Sequence, residues 1–500
     1  MRNFLFVFGG LVVLIISSCR KDFSTIPSFG NLTFSKDTIF LDTVFTTIGS
    51  ATYNLRVYNK SDKAITIPEI KLENGVNSYY RLNVDGVAGK NFEDIDILAN
   101  DSLYVFIETT IDFSNVSNPL YTDRILFDNG NNQQDVDLVT LVQDATFIYP
   151  DRNPVSMVID SLTLDGQPTS IKGRFLEDSE LTFTNERPYV IYGYAAIASG
   201  KTVTFEAGAE IYFHANSGLI VDEGATMVTN GTLTEKVTFQ GDRLEAAFDN
   251  IAGQWGTIWL RAGSTANNFN HTIIKNGTIG ILVDSLGTNN NPTLFTANTE
   301  IYNQSSFGIL GREAEITAEN LVIGNAGQSS LAATVGGNYN FTHCTFSNYW
   351  NNSFRSLPTV LVNNFFTKQE NGQNIIETRP LIAANFSNCI VYGNNNIEFV
   401  LDKVDGNEFN YNVNNSIIRF EDPTGIFADN SDLDFNNPNY QNVIINGNPD
   451  FRNPFDEDLI IGENSTAINA AAPTAVSQDI LGIDRTSSPD IGAYQHIIFN

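Results

Sequence analysis

The residues best suited to chemistry gather in one mixed stretch. Gln240-Gly241-Asp242-Arg243-Leu244-Glu245 runs on to Gln254-Trp255-Gly256, and Lys275 follows. An aromatic face suits a pyranose ring, and neighbouring charged groups fix its orientation. Asp242, Arg243, Glu245, Trp255 and Lys275 are therefore the candidate ligand-binding residues. Elimination on an acidic sugar would need a base for the proton beside the carboxylate and cations to neutralise that carboxylate. Arg243 and Lys275 are the candidates for those roles. The plainer alternative is structural: Trp255 packs over the strand beneath it, and Arg243 forms a salt-bridged corner with Asp242 and Glu245. The chain has four histidines. His214 follows the apolar run Ile211-Tyr212-Phe213, His271 and His343 fall inside a repeat, and His496 lies near the end. No Gly-rich phosphate loop, His-Glu-x-x-His or Gly-x-Ser-x-Gly occurs, and no catalytic residue is assigned.

The elements that must position these groups come from that repeat. A phrase of apolar, any, small polar, any, apolar, apolar occurs at Phe269 to Ile274 and Phe341 to Phe346. It returns at Leu361 to Phe366, Phe386 to Val391, Val413 to Ile418 and Tyr440 to Ile445, with weaker copies at Ala297 to Tyr302 and Thr317 to Val322. The fourth positions run from 272 to 443, a mean step of (443 − 272)/7, about 24 residues, within the solenoid range. Helical periodicity is missing, and short β-branched runs end in Gly or Asn. The pattern predicts three-sided coils, a right-handed parallel β-helix. The third position reads His271, Thr299, Glu319, His343, Asn363, Asn388, Asn415, Asn442. Stacked Asn side chains can bond from coil to coil and hold a left-handed corner. Asn363, Asn388, Asn415 and Asn442 are thus expected to form a structural ladder, with His271 and His343 in the same structural role. Cys344 and Cys389 share the fourth position, two copies apart. At about 4.8 Å per coil their sulfurs would lie roughly 10 Å apart, too far for a disulfide.

Composition narrows the partners. The chain has 500 residues, 28 basic against 57 acidic, for a net charge of −29. Nucleic acid needs a basic footprint and is excluded as the main partner. With 42% hydrophobic and 17% charged residues, the chain can build cores. No metal site and no cofactor are expected. Ca2+ bound by clustered carboxylates is the lesser reading, without a supporting motif.

The N-terminus carries its own signal. Arg2 precedes the apolar stretch Phe4 to Ile16, of leader length and too short to span a bilayer comfortably. It ends in Ile16-Ser17-Ser18-Cys19, which resembles the lipobox of bacterial lipoproteins. The resemblance implies acylation of Cys19 and attachment to the outer membrane through lipid. Arg20-Lys21-Asp22 resembles the surface-export signal of Bacteroidetes-type lipoproteins and implies display at the cell surface.

Along the chain, residues 1–19 are read as the leader with its lipobox Cys and 20–30 as a tether. Residues 31–145 hold short alternating runs such as Tyr53 to Tyr58, Tyr80 to Val84 and Val136 to Val142, separated by Asn/Asp/Gly turns, and predict a β-sandwich. Their order resembles Ig-like domains of the abnormal-spindle/hydin type, with Ile111-Asp112-Phe113 where such domains often carry Phe-x-Pro. Residues 146–200 lack the repeat and are expected to cap the first coil. The β-helix is placed at 201–447 and a C-terminal cap at 448–500.

That last segment holds Asp479-Ile480-Leu481-Gly482, Asp484-Arg485 and Asp490-Ile491-Gly492-Ala493-Tyr494. It resembles the ending of bacterial β-helix proteins of the pectate-lyase-like superfamily, and the resemblance covers roughly 190–498. It implies the fold and an association with polysaccharides. The superfamily's polygalacturonase-like motifs and Asp-His pairing are absent. The expected function is therefore a surface lipoprotein whose β-helix binds polysaccharide or extracellular matrix without turnover. The alternatives are a polysaccharide lyase or glycoside hydrolase of the β-helix superfamily, and a structural or adhesive surface protein.

Overall fold

The computed structural model describes residues 24–285 and 292–499. Cys19 lies outside the described residues. The chain is almost wholly β and divides into two units, at Asp144 and Ala145.

The first unit pairs its strands into two sheets. One contains Thr38–Phe45, Ile65–Leu72, Asn91–Ile97, Leu120–Phe127 and Gln134–Gln143; the other contains Tyr53–Tyr58, Tyr80–Val84 and Ser102–Thr109. Alternation buries one side of most of these strands. Ile39, Leu41 and Ile67 from the first sheet share a core with Leu55, Leu82 and Val105 from the second. Most pairings are antiparallel, but Gln134–Gln143 runs parallel to Thr38–Phe45. The strand Asn91–Ile97 escapes a reading based on alternation. Only Phe92 and Ile97 in it are buried, and Asp94 interrupts it with a φ of 53°.

The second unit is built from long parallel sheets, consistent with a β-helix. One ladder runs from Thr146–Ile148 through Tyr189–Ile191, Glu210–Phe213, Val237–Gly241 and Thr272–Lys275, and on to Ile444–Ile445. Two further parallel ladders pass through Trp255–Leu260 and Gly277–Asp284, and through Asn267–Asn270 and Leu294–Ala297. Two strands, Phe307–Glu319 and Ser329–Thr342, are long enough to join both. Each strand bonds to its counterpart in the next coil. Phe239 therefore pairs with Ile274, Ile274 with Ile301, and Ile323 with Phe346. These columns of identical orientation fill one continuous buried core.

Four details correct the sequence reading. First, parallel pairing begins at Thr146–Ile148 and Gly173–Phe175, inside the stretch expected to be a cap. Second, the phrase at Leu361 to Phe366 is a mimic. Val360–Asn363 pairs with Ser329–Thr342 and Phe399–Asp402, in another ladder. Asn363 is therefore not a rung of the corner series; its Oδ1 accepts from the Val335 amide, 2.9 Å. The corner residues with left-handed φ are His271, Asn298, Asn320, His343, Asn388, Asn415 and Asn442. Third, with that false copy removed, Cys344 and Cys389 stand in adjacent coils, flanked by the Thr345–Ile390 pairing, so their expected separation halves. Both are free and buried. Fourth, the ladder does more than bond to itself. Asn320 donates to Asn298 (2.9 Å) and Asn388 lies 2.9 Å from His343 Nε2. Yet Asn320, Asn388 and Asn415 also donate to the carbonyls of Gln478, Ala472 and Ala470. They seat the C-terminal tail along the flank of the ladders.

That tail covers the outer face of the first ladder. Ile480, Ile491, Ala493 and Tyr494 pack on Val322, Ile390 and Ile417. Gly492 has a φ of 99°, and a Cβ there would fall 2.7 Å from Ile390 Cδ1, which explains the glycine of the Asp-Ile-Gly-Ala-Tyr phrase. The core's last coils are instead covered by the 420–437 segment, through Phe420, Phe427, Leu433 and Phe435.

One ion pair is fully enclosed. Arg355 grips Glu398 with two bonds of 2.6 and 2.8 Å, and Glu398 also accepts from the amides of Thr359 and Asn395. Removing one partner strands the other's charge. Arg355→Ala is expected to lower stability by about 3–5 kcal/mol, and an apolar replacement of both residues by much less; urea unfolding of the two variants checks this.

Candidate functional site

The register of the first ladder builds a column of side chains at its exit. Ile148 pairs with Ile191, Ile191 with Phe213, and Phe213 with Gly241. The residues that follow, Tyr149, Tyr192, His214 and Asp242, therefore lie one above another at strand spacing. Tyr192 and His214 stack at 4.3 Å between centroids, and Tyr149 lies over Tyr192 at 5.0 Å with its ring tilted by 34°. Phe147 lies parallel to Tyr149 at 5.6 Å. The column ends on a hydrogen bond of 2.8 Å between His214 Nδ1 and Asp242 Oδ2.

This column forms one wall of a groove of about 790 Å³. Arg152, Lys172 and Arg174 line it together with Asp151 and Glu177. Arg174 makes two bonds of 2.6 Å to Glu180 and donates to the Tyr149 carbonyl at 2.9 Å, which ties down the backbone that carries the first ring. Gly193 lets two backbones meet. A Cβ there would fall 2.8 Å from the Lys172 carbonyl oxygen, and its φ is 72°.

Electrostatics follow from burial. Asp242 is mostly enclosed, which raises its carboxyl above the usual range, while the bond to His214 partly offsets the rise. Tyr192 is pushed up to about 12, chiefly by burial and next by the charge of Asp242. Tyr149 is raised by burial although it presents 48% of its surface to solvent. His214 Nε2 has no hydrogen-bond partner among the described residues. A second hollow of about 420 Å³ shares Ala215 and Asn216 with the groove and continues past Tyr194 and Gln254.

The five residues singled out in the sequence do not form one site. Asp242 alone joins the column. Arg243 pairs with Glu245 at 2.9 Å and lies over the Phe248 ring at 3.8 Å. Trp255 is 1% exposed, stacks on Phe213 at 4.4 Å and donates to the Lys275 carbonyl at 2.9 Å. It is a core residue and offers no platform to a sugar. Lys275 faces other chemistry: its charge acts on Glu457. Among the described residues no three acidic, His or Cys side chains gather as a metal site. Sequence reasoning missed Tyr149, Tyr192 and the partnership of His214. The available signal was positional, an aromatic residue directly after each of three successive apolar runs.

The chain matches no protein-family model and no curated protein. Among solved structures it is similar to the catalytic unit of a GH87 α-1,3-glucanase from Streptomyces thermodiastaticus strain HF3-3. Identity there is 12%, over 73% of this chain and 79% of that one, with a TM-score of 0.21. It is also similar to a family 123 glycoside hydrolase from Clostridium perfringens, at 10% identity over 22% of this chain and 25% of that one, with a TM-score of 0.16. At these scores neither likeness bears on the chemistry of the groove.

Glu457 gives this unit a pH dependence. Burial lifts its carboxyl to about 7, against an ordinary 4.5; Lys275 opposes the rise and Asp456 adds to it. Between those two values the unfolded chain has released a proton that the folded chain keeps. Stability therefore falls as pH rises from 4.5 to about 7. Glu457→Gln is expected to match the parent below this window and to exceed it in melting temperature above it.

Proposed function

We propose that this protein is a surface-anchored lipoprotein that binds glycan in the groove beside the Tyr149–Tyr192–His214 column. The observation that carries the reading is the column itself. Stacked rings with one partly open face, set in a concave wall with charged groups at the margin, match what a pyranose needs from a protein. In this reading the second unit is a closed, right-handed β-helix with three sides. Right-handed crossover is the rule for parallel strands joined within one sheet. The first unit is an Ig-like spacer, and acylation of Cys19 holds the chain on the outer membrane. Matrix polysaccharide is the natural ligand class, and the binding needs no turnover.

A second reading, turnover of the glycan by a lyase or hydrolase, is favoured by one observation. His214 is oriented through Nδ1 by a mostly enclosed carboxylate, the arrangement of a general base.

Two measurements test these readings. Affinity electrophoresis against neutral and acidic polysaccharides should show retardation, and Tyr149→Ala, which removes the exposed end ring of the column, should weaken it by roughly 1–3 kcal/mol, the cost of losing a stacking face. Products released by the parent but not by His214→Ala would move the conclusion to the second reading; no retardation by any polysaccharide would sink both. Cys19→Ala should shift the protein from the membrane fraction to the soluble one, followed by detergent partitioning.

A further inference from the structure

We propose that the corner of the first ladder is a peptide-reading surface, and that its two uncovered places, at Asn298 and His271, take an extended segment of a partner protein that carries a lysine or arginine. The molecule already holds one peptide in this way. Asn415 donates to the Ala470 carbonyl, Asn388 exchanges two hydrogen bonds with the Ala472 backbone, and Asn320 donates to the Gln478 carbonyl. The corner thus grips the backbone of its own tail, which passes from later coils to earlier ones. At Gln478 the tail leaves. Gln478 bridges to Asp484 and the chain turns back, with the Asp479 carboxylate accepting from the amides of Leu481 and Ile483. The corner itself continues for two more coils, through Asn298 and His271, both with the left-handed φ of the series.

A hollow of about 480 Å³ opens there, between these two rungs and the departing tail, a size ordinary for a ligand site. Its floor keeps unmet hydrogen-bonding groups. Asn320 is 3% exposed, and its Oδ1 has no partner among the described residues. Asn298 accepts from Asn320 and donates one amide hydrogen to Asn270 Oδ1 at 3.4 Å, which leaves its second hydrogen free. His271 Nδ1 lies 2.9 Å from the same Asn270 oxygen. Burial and the charge of Lys236 hold the imidazole below its ordinary pKa, so the ring is neutral, Nδ1 donates and Nε2 is left as an acceptor. One donor and two acceptors in a row suit the alternating carbonyl and amide of an extended chain, whose main-chain bonds supply affinity. Exposed Leu233 and the partly buried Val476 offer apolar contact at the rim. Charge selects the side chain. Glu319 lines the hollow and has no ion-pair partner among the described residues. Lys236 is bonded to Glu300, and the single cation Arg485 acts on both Asp479 and Asp490. The unanswered charge is therefore negative, which a lysine or arginine of the partner meets.

The test uses the full chain and three dye-labelled peptides, read by fluorescence anisotropy. The first is Ala-Thr-Lys-Thr-Ala-Thr, the second has Glu in place of Lys, and the third is the Lys peptide with its backbone amides N-methylated at alternate residues. The Lys peptide should bind saturably, about tenfold or more tighter than its N-methylated twin, which has lost backbone donors. It should also bind about threefold tighter than the Glu twin. Leu233→Trp, at an exposed place on the rim, should fill the hollow and abolish binding while the melting temperature shows the protein still folded. Glu319→Gln should make the Lys and Glu peptides equal and keep the penalty of N-methylation. No saturable binding of the Lys peptide, equal binding of its N-methylated twin, or undiminished binding to Leu233→Trp overturns the peptide site. Equal binding of the Lys and Glu peptides by the parent, or an unchanged preference in Glu319→Gln, overturns the charge selection. The hollow shares no lining residue with the groove beside Tyr192, so retardation by polysaccharides should be the same in both variants as in the parent.

Discussion

Parallel register is the constraint on which this molecule depends. Adjacent strands in a sheet stand about 4.8 Å apart, so a side chain in one coil meets the same position of the next coil at nearly van der Waals distance. Every column must therefore be compatible with itself. Inward columns satisfy this with Phe, Ile, Leu and Val, as at Phe239, Ile274, Ile301 and Ile323. Corner columns satisfy it with Asn and His, whose side chains both donate and accept. The exit of the first ladder satisfies it with flat rings. Tyr149, Tyr192 and His214 stack because the register leaves them nowhere else to go, and Asp242 receives the last ring because it occupies the next place.

The same constraint explains how the long sheets avoid exposing an apolar flank. The outward face of the first ladder carries Val322, Ile390 and Ile417, a stripe that water would not tolerate. The C-terminal tail covers it, and the ladder asparagines anchor the tail through the carbonyls of Ala470, Ala472 and Gln478. Corner residues thus serve two surfaces. Asn388 lies against His343 in the neighbouring coil and exchanges two hydrogen bonds with Ala472. A tail fixed in this way cannot move independently of the coils, so Asp490, Arg485 and Gly492 belong to the packing of the sheets as much as to the chain's end.

The parallel sheets were legible because their period repeats, and the site was not because it occurs once. A phrase recurring about every 24 residues survives weak copies. It fails where a chance copy has the right pattern in the wrong ladder, as at Leu361 to Phe366. There Val360–Asn363 is a genuine strand, but its neighbours are Ser329–Thr342 and Phe399–Asp402. That single misplacement put Asn363 on the corner and set Cys344 one coil too far from Cys389. The candidate residues failed for another reason. Asp242, Arg243, Glu245, Trp255 and Lys275 were joined by nearness in sequence, whereas a strand sends successive side chains to opposite faces. Trp255 went inward onto Phe213, and Asp242 met His214, 28 positions away.

This geometry also bears on the choice between holding a glycan and cleaving it. A catalytic His–Asp pair must leave the imidazole free to approach the reacting atom. Here one face of the His214 ring is covered by Tyr192 at 4.3 Å and one nitrogen is bound to Asp242, so only an edge and the opposite face remain. Asp242 holds the place beyond His214, so a sugar lying on the stack would extend the column at its Tyr149 end, away from the imidazole. Reaction would instead need the sugar's proton in the plane of the imidazole, in line with Nε2. Stacking and proton transfer thus ask for approaches at right angles. The structure builds the first approach from three rings in register, and supplies the second with a single nitrogen, which is why binding is the reading that the column supports best.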